Sequence, residues 1–300
     1  MDDQAAAFDS YWDALDVELA RYPMAADLQP LSLHSSGTFQ TYSVKLTSIG
    51  PYRIFGYFSV PTSVRTPAPA LLLTPRYGSV NHIPDYHDRE RYVVLQVVHR
   101  GQRLADRPFA AAYPGLLTLG ITDPGRFIYR AIVADCLRGA EFLLSRPEVD
   151  PTRVAIQGDD LALITAARRS GCSALMVSEP LLYRLLERSG GTDAYPAEEL
   201  NDFLRSQPEQ QSAVAETLAL FDAARHAPRV QATTLLVNAE ADEALRQALG
   251  GPVEDYRLTH RGAVDHVWLD GWLAKQLGAE PRARFLEHAL STPEQGEHAP

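Results

Sequence analysis

Cysteine is nearly absent: Cys136 and Cys172 are the two in 300 residues. Two cysteines build no disulfide framework, and they read as reduced thiols in a cytoplasmic protein. Long apolar runs are missing too. None approaches the ~18–20 residues that span a bilayer, so no membrane partner is expected. The opening MDDQAAAFDS has neither a basic n-region nor an apolar h-region, and it does not read as a secretory signal. Basic charge is in deficit, with 28 Lys and Arg against 38 Asp and Glu and a net charge of −10. An acidic chain without a basic stripe is a poor match for phosphate backbones, which argues against nucleic acid as a partner. Neither G-x-G-x-x-G nor G-x-x-x-x-G-K-[ST] occurs, so no nucleotide cofactor is expected. His82, Asp85, His87 and Asp88 crowd into NHIPDYHDRE (81–90). Their spacing fits no metal-ligand pattern, and the segment reads as a solvated loop at the rim of a cleft.

What is present is ordinary globular material, 45% apolar and 22% charged. Phe8, Trp12, Leu15 and Leu19 share one face of a helix that Pro23 should stop. TYSVKLTS (41–48) and YRIFGYFSVP (52–61), broken by Gly50-Pro51, predict an antiparallel hairpin. From residue 69 short apolar runs alternate with helical stretches. The runs are 70–74, 92–98, 154–157, 174–178 and 233–238; the helices are 127–146, 161–170, 211–225, 242–249 and 266–277. Unbroken β-branched runs suit a parallel sheet covered on both faces, and their alternation with helices predicts an α/β fold. Residues 181–228 hold helices and no strand, and they read as an insertion or lid within a single domain over 1–290. The polar tail 291–300 reads as frayed. Trp268 and Trp272, four apart on the last helix, read as core.

The informative stretch is RVAIQGDDLA (153–162): a buried strand, Gly158, two acids and a helix start. In a nucleophile elbow, G-x-S-x-G lifts the nucleophile above the sheet at a helix N-terminus. Asp160 at such a turn has three readings: a nucleophile, a general base on water, or a helix N-cap whose carboxylate accepts free N–H groups.

Around this turn the chain resembles the acetyl xylan esterase and cephalosporin C deacetylase family of α/β-hydrolases. HRGQR (99–103) is similar to the family's R-G-Q-G turn. GITDPGRFIYRAIVADCLRGAEFLLSRPEVD (120–150) resembles its Gly-Ile-x-Asp segment, the following helix with Asp-x-x-Arg-Ala, and Pro-Glu-x-Asp. EPLLYR (179–184) is similar to its Pro-Phe-Leu-x-x-x-Arg. The resemblance spans roughly residues 50–275 and implies an α/β-hydrolase fold: a mostly parallel central sheet, an N-terminal antiparallel hairpin and a helical insertion.

The resemblance also implies the site. The family's Gly-Gly-Ser-Gln-Gly falls on Gly158 to Ala162, which sets Asp160 at the serine position. The triad acid falls on Asp242 in NAEADEAL, and the histidine on His260 in LTHRG, with His266 as the fallback. Oxyanion backbone donors fall on Tyr77 and Leu161. Arg100, Arg130 and Asp135 match family positions and read as structural ties between loops and sheet. No cofactor or metal is implied. The family commonly assembles into oligomers, which implies self-association.

A carboxylate attacking an acyl carbon gives a mixed anhydride and has no proton for His260 to take, so ordinary deacetylation should fail or be very slow. An Asp does serve as nucleophile at saturated carbon in the α/β-hydrolases that open haloalkanes and epoxides. Three readings therefore stand: a hydrolase of small esters with Asp160 at the elbow, an Asp-nucleophile hydrolase of the dehalogenase or epoxide hydrolase type, and a catalytically silent protein that binds a small molecule.

Overall fold

In a computed structural model the described residues are 2–238 and 243–282. Nine strands form one sheet: β1 (Asp27–Pro30), β2 (Phe39–Thr47), β3 (Arg53–Pro61), β4 (Ala68–Leu73), β5 (Val93–Val98), β6 (Val149–Gly158), β7 (Ala174–Ser178), β8 (Thr233–Val237) and β9 (Val253–Tyr256). Their order is β1-β2-β3-β5-β4-β6-β7-β8-β9. β2 and β3 form the expected antiparallel hairpin, in register from Phe39 opposite Pro61 to Thr47 opposite Arg53. From β5 to β9 every pairing is parallel. This is an α/β fold with a mostly parallel sheet, as the apolar runs required.

Two elements escape the sequence reading. β1 is four largely exposed residues ending in proline, and it pairs with β2 only along its edge. The segment read as a solvated loop contains a helix over its second half. Asp85 caps it by accepting the His87 N–H at 2.9 Å.

The helices are α1 (Asp2–Ala20), α2 (Tyr86–Arg91), α3 (Ile128–Leu144), α4 (Asp160–Arg168), α5 (Leu185–Ser189), α6 (Glu198–Ser206), α7 (Gln211–Phe221), α8 (Ala223–His226), α9 (Glu243–Ala248) and α10 (Gly262–Leu277). Alternation along the strands sends residues to opposite faces. Leu72 and Leu95 pack with Ala140 and Phe142 of α3 on one face. Leu71 and Val94 pack with Trp272 and Leu273 of α10 on the other. Phe8, Trp12, Leu15 and Leu19 of α1 are all buried and join the insertion residues Leu182, Leu200 and Phe221 in one cluster with α3. Trp272 is core as expected. Trp268 is not: it is 39% exposed and stacks on Tyr256, ring centroids 3.9 Å apart.

Arg100 and Asp135 tie the loop after β5 to α3, as their family positions implied. Asp135 accepts from the Arg100 Nε at 3.0 Å, its Nη2 at 2.7 Å and its backbone N–H at 2.9 Å. Arg130 pairs with Glu18 at 2.7 Å and so ties α3 to α1.

Candidate active site at the end of the sixth strand

β6 ends at Gly158 because nothing larger fits there. A Cβ on Gly158 would lie 1.9 Å from Thr74 Oγ1. Asp159 makes the turn, and α4 begins at Asp160. The cap is therefore Asp159, whose Oδ1 accepts the Leu161 N–H at 2.9 Å. The cap reading of Asp160 is corrected by one residue. Asp160 is the first residue of α4.

The Asp160 carboxylate is committed elsewhere. It accepts the Leu182 N–H at 2.7 Å and the Tyr183 N–H at 3.0 Å, and only 1% of the residue is exposed. Burial, and then the Asp159 charge beside it, hold its carboxyl above the usual range, while the backbone donors pull the other way. Burial also raises Asp159. Its bond from Leu161 and the Arg76 guanidinium oppose that shift.

The half-buried Asp159 faces a cavity of about 600 Å³ over the ends of β6 and β7. Arg76, Tyr77, Ser178 and Glu179 line it. So do Leu181, Leu185, Arg188, Tyr195 and Ala197 of the segment between β7 and β8. The stretch read as an insertion or lid thus contributes several side chains, Leu185 among them. Leu182 and Leu185 are buried in the core cluster, and Phe203 packs against it.

Two residues that the sequence reading did not single out hold this cavity in shape. Gln102 is fully buried and uses its whole amide. Its Nε2 donates to the carbonyls of Arg76 at 3.0 Å and Gly78 at 2.8 Å, and its Oε1 accepts from His99 N at 3.1 Å and Asn81 at 2.6 Å. It fixes the loop that carries Arg76 and Tyr77. Glu199 of α6 is buried and accepts from the Tyr77 hydroxyl and from Thr118 N at 3.1 Å. A glutamine in HRGQR was visible in the sequence; its partners at Arg76, Gly78 and Asn81, more than 20 residues away in the chain, were not.

The two histidines sit in and beside the loop after β9. His260 is exposed, with φ at 62°, in the loop between β9 and α10. Asp265 fixes that loop by accepting from Thr259 N and Tyr256 Oη at 2.9 and 2.7 Å. His266 is exposed on α10 and lines a second cavity of about 380 Å³ with Thr74, Gln157 and Gly158. Among the described residues neither histidine bonds Asp159 or Asp160. Asp242 lies outside the described residues. Tyr77 borders the first cavity, but the Leu161 N–H is occupied by Asp159. Among the described residues no group of His, Cys, Asp and Glu is arranged to hold a metal ion. No described helix is long and apolar enough to cross a membrane.

The model of the family described as Acetyl xylan esterase (AXE1) matches residues 1–246. The chain belongs to the acetyl xylan esterase family. Acetyl esterase Axe7A of Xylanibacter ruminicola is 23% identical over 244 residues, covering 74% of this chain and 53% of that protein. The chain thus spans about half the length of this curated relative. Among solved structures, an acetyl xylan esterase from Paenibacillus sp. R4 superposes with a TM-score of 0.74 at 24% identity, over 94% of this chain and 92% of the other. Acetyl xylan esterase 1 from Thermoanaerobacterium sp. JW/SL YS485 gives a TM-score of 0.74 at 19% identity, over 90% and 93%. At these identities the superpositions establish the α/β-hydrolase fold. The family match places the chain by descent, and its chemistry rests on its own side chains.

Proposed function

We propose that this acetyl xylan esterase family member binds a small molecule in the cavity in front of Asp159 and does not run acyl transfer through an elbow nucleophile. One observation carries the reading: the Asp160 carboxylate is spent on the Leu182 and Tyr183 N–H groups. A carboxylate with both oxygens bound to backbone donors holds the cavity wall in place and has neither the freedom nor the exposure to attack a substrate. The occupied Leu161 N–H supports the same conclusion, because an oxyanion hole needs its donors free when charge develops.

A second reading is favoured by the placement of Asp159. Its carboxyl faces the cavity and its pKa is raised, which suits a general base acting on water. In that reading the hydrolase chemistry survives without a covalent intermediate.

Purified protein assayed on aryl acetates, acetylated sugars, haloacids and epoxides decides between the two. No turnover above buffer, together with a thermal shift from some small molecule, is the expected result. Turnover lost in Asp159→Asn and kept in Asp160→Asn would establish the second reading. Turnover with accumulation of a covalent ester on Asp160 would overturn both.

A further inference from the structure

We infer that the cavity in front of Asp159 is built for a short zwitterion, a molecule of the α-amino acid type whose carboxylate meets Arg76 and whose ammonium meets Asp159. The inference rests on the proposal that this cavity binds a small molecule, and it names the class.

Arg76 and Asp159 line the same cavity. They are close enough for the guanidinium to lower the Asp159 carboxyl, yet no hydrogen bond or ion pair joins them. Among the described residues the Arg76 side chain has no polar partner, and the one bond described for the Asp159 side chain is that from Leu161 N–H. A cation and an anion that face one space without touching leave room for a ligand carrying both charges in the reverse order. The neighbouring groups sharpen the choice. Arg188 gives its Nη1 to the carbonyls of Pro180 and Tyr183, at 2.7 and 3.1 Å, which holds it to the backbone, whereas Arg76 is the cation free to turn to a ligand. Glu179 stands on the same rim with no polar partner among the described residues, and it adds to the negative side beside Asp159. The buried Asp160 behind Asp159 deepens that potential. Tyr77 and Tyr195 have hydroxyls committed to Glu199 and Asp202, so they offer the ligand ring surface. With Leu181 and Leu185 they line an apolar wall suited to an aliphatic or aromatic side chain. A cavity of about 600 Å³ holds such a molecule with room for water. A neutral ester in the same place would cover the Asp159 charge without pairing it, a costly arrangement.

Isothermal titration of the full chain with L-leucine, L-leucine methyl ester and N-acetyl-L-leucine tests the idea, with L-phenylalanine as the aromatic probe. A free amino acid should bind, and blocking either end should weaken it roughly tenfold or more, the usual scale for losing one charge-assisted pair. Arg76→Gln should bind the methyl ester as well as the free acid. Asp159→Asn should treat N-acetyl-leucine and leucine alike. Both variants should fold, since the Arg76 side chain makes no hydrogen bond among the described residues and asparagine retains the cap. Equal binding of the blocked and free forms overturns the inference. So does silence toward amino acids at about 10 mM with binding of an aryl acetate or acetylated sugar, which leaves the cavity reading standing. Silence toward every compound overturns both.

Discussion

Two aspartates are buried near the ends of central strands, and they are kept in opposite ways. Asp135, on α3, has a cation: Arg100 wraps it with a two-pronged guanidinium and a backbone N–H, then reaches on to Ile49 O at 3.1 Å. Asp160, on α4, has no cation among the described residues. Two backbone N–H groups hold it, with the second carboxylate of Asp159 next to it. The first arrangement neutralises its charge and is complete. The second leaves negative charge beside a cavity, where a ligand or a proton has to compensate it. The difference separates a part of the fold from a candidate site with more certainty than burial does, because both side chains are almost wholly inaccessible.

The sharpest way to break the comparison is Asp135→Ala. It strands the Arg100 guanidinium in a pocket where only carbonyl, hydroxyl and Tyr52 ring contacts remain. Removing one partner of a buried pair costs about 3–5 kcal/mol. Urea melts should show that loss with an unchanged slope. A loss below 1 kcal/mol would mean that the two aspartates are not different in kind.

Asp160→Ala should cost less, roughly 2–4 kcal/mol, through two buried N–H donors left without acceptors. The loss should also depend on pH. Ionising the wild-type Asp160 in its buried site is unfavourable, so deleting it gives back part of the loss once the pH is high. Melts at pH 5 and pH 8 should therefore show the larger destabilisation at pH 5. A pH-independent loss would place the carboxylate in an ordinary, compensated environment.

Asp160→Ser probes the same turn for chemistry. The hydroxyl would have no histidine within hydrogen-bond reach among the described residues, and the Leu161 N–H would remain bound to Asp159. Aryl-acetate hydrolysis should stay within about twofold of background, since losing an oxyanion donor alone costs ~10²–10³ in rate. A clear gain in this variant would show that His260 or His266 reaches the turn after all.

The contrast between the two aspartates was only half legible in the sequence. The parallel strands were readable because buried strands need unbroken apolar runs, and α1 was readable because its four apolar residues keep helical spacing. β1 and α2 were not, because each is short and polar enough to match a loop. Asp135 could be read as structural because its helix and its arginine both fall in recognisable blocks. The acids at 159 and 160 could be seen as a strand-to-helix turn, but not sorted. Which of two adjacent acids caps a helix depends on where the first helical residue falls, a matter of one position. What the other acid does depends on backbone N–H groups 22 and 23 residues downstream, which carry no side-chain signature.

The smallest effect is expected from Asp159→Asn, and it isolates the charge at the turn. In the unfolded chain Asp160 titrates near pH 4. In the folded chain it titrates higher, because of burial and the Asp159 charge. Between those two values the folded protein binds more protons than the unfolded chain. Stability therefore falls as the pH rises through the window, and it stays low above it. His99 and His226 oppose that trend. Burial pushes them down to about 4 and about 3, so near pH 5 the unfolded chain binds the extra protons and stability falls toward acid. Asp159, raised by its own burial, adds to the Asp160 trend, and the wild-type profile sums all of these without identifying its sources. The difference between variant and wild type does, because the histidines are common to both. Asparagine keeps the bond to Leu161 N–H while removing the neighbouring charge. The variant should gain about 1 kcal/mol at pH 8, or ~2–4 °C in Tm, and almost nothing at pH 4. A gain that is the same at both pH values would locate the effect in the cap and not in the repulsion between the two carboxylates.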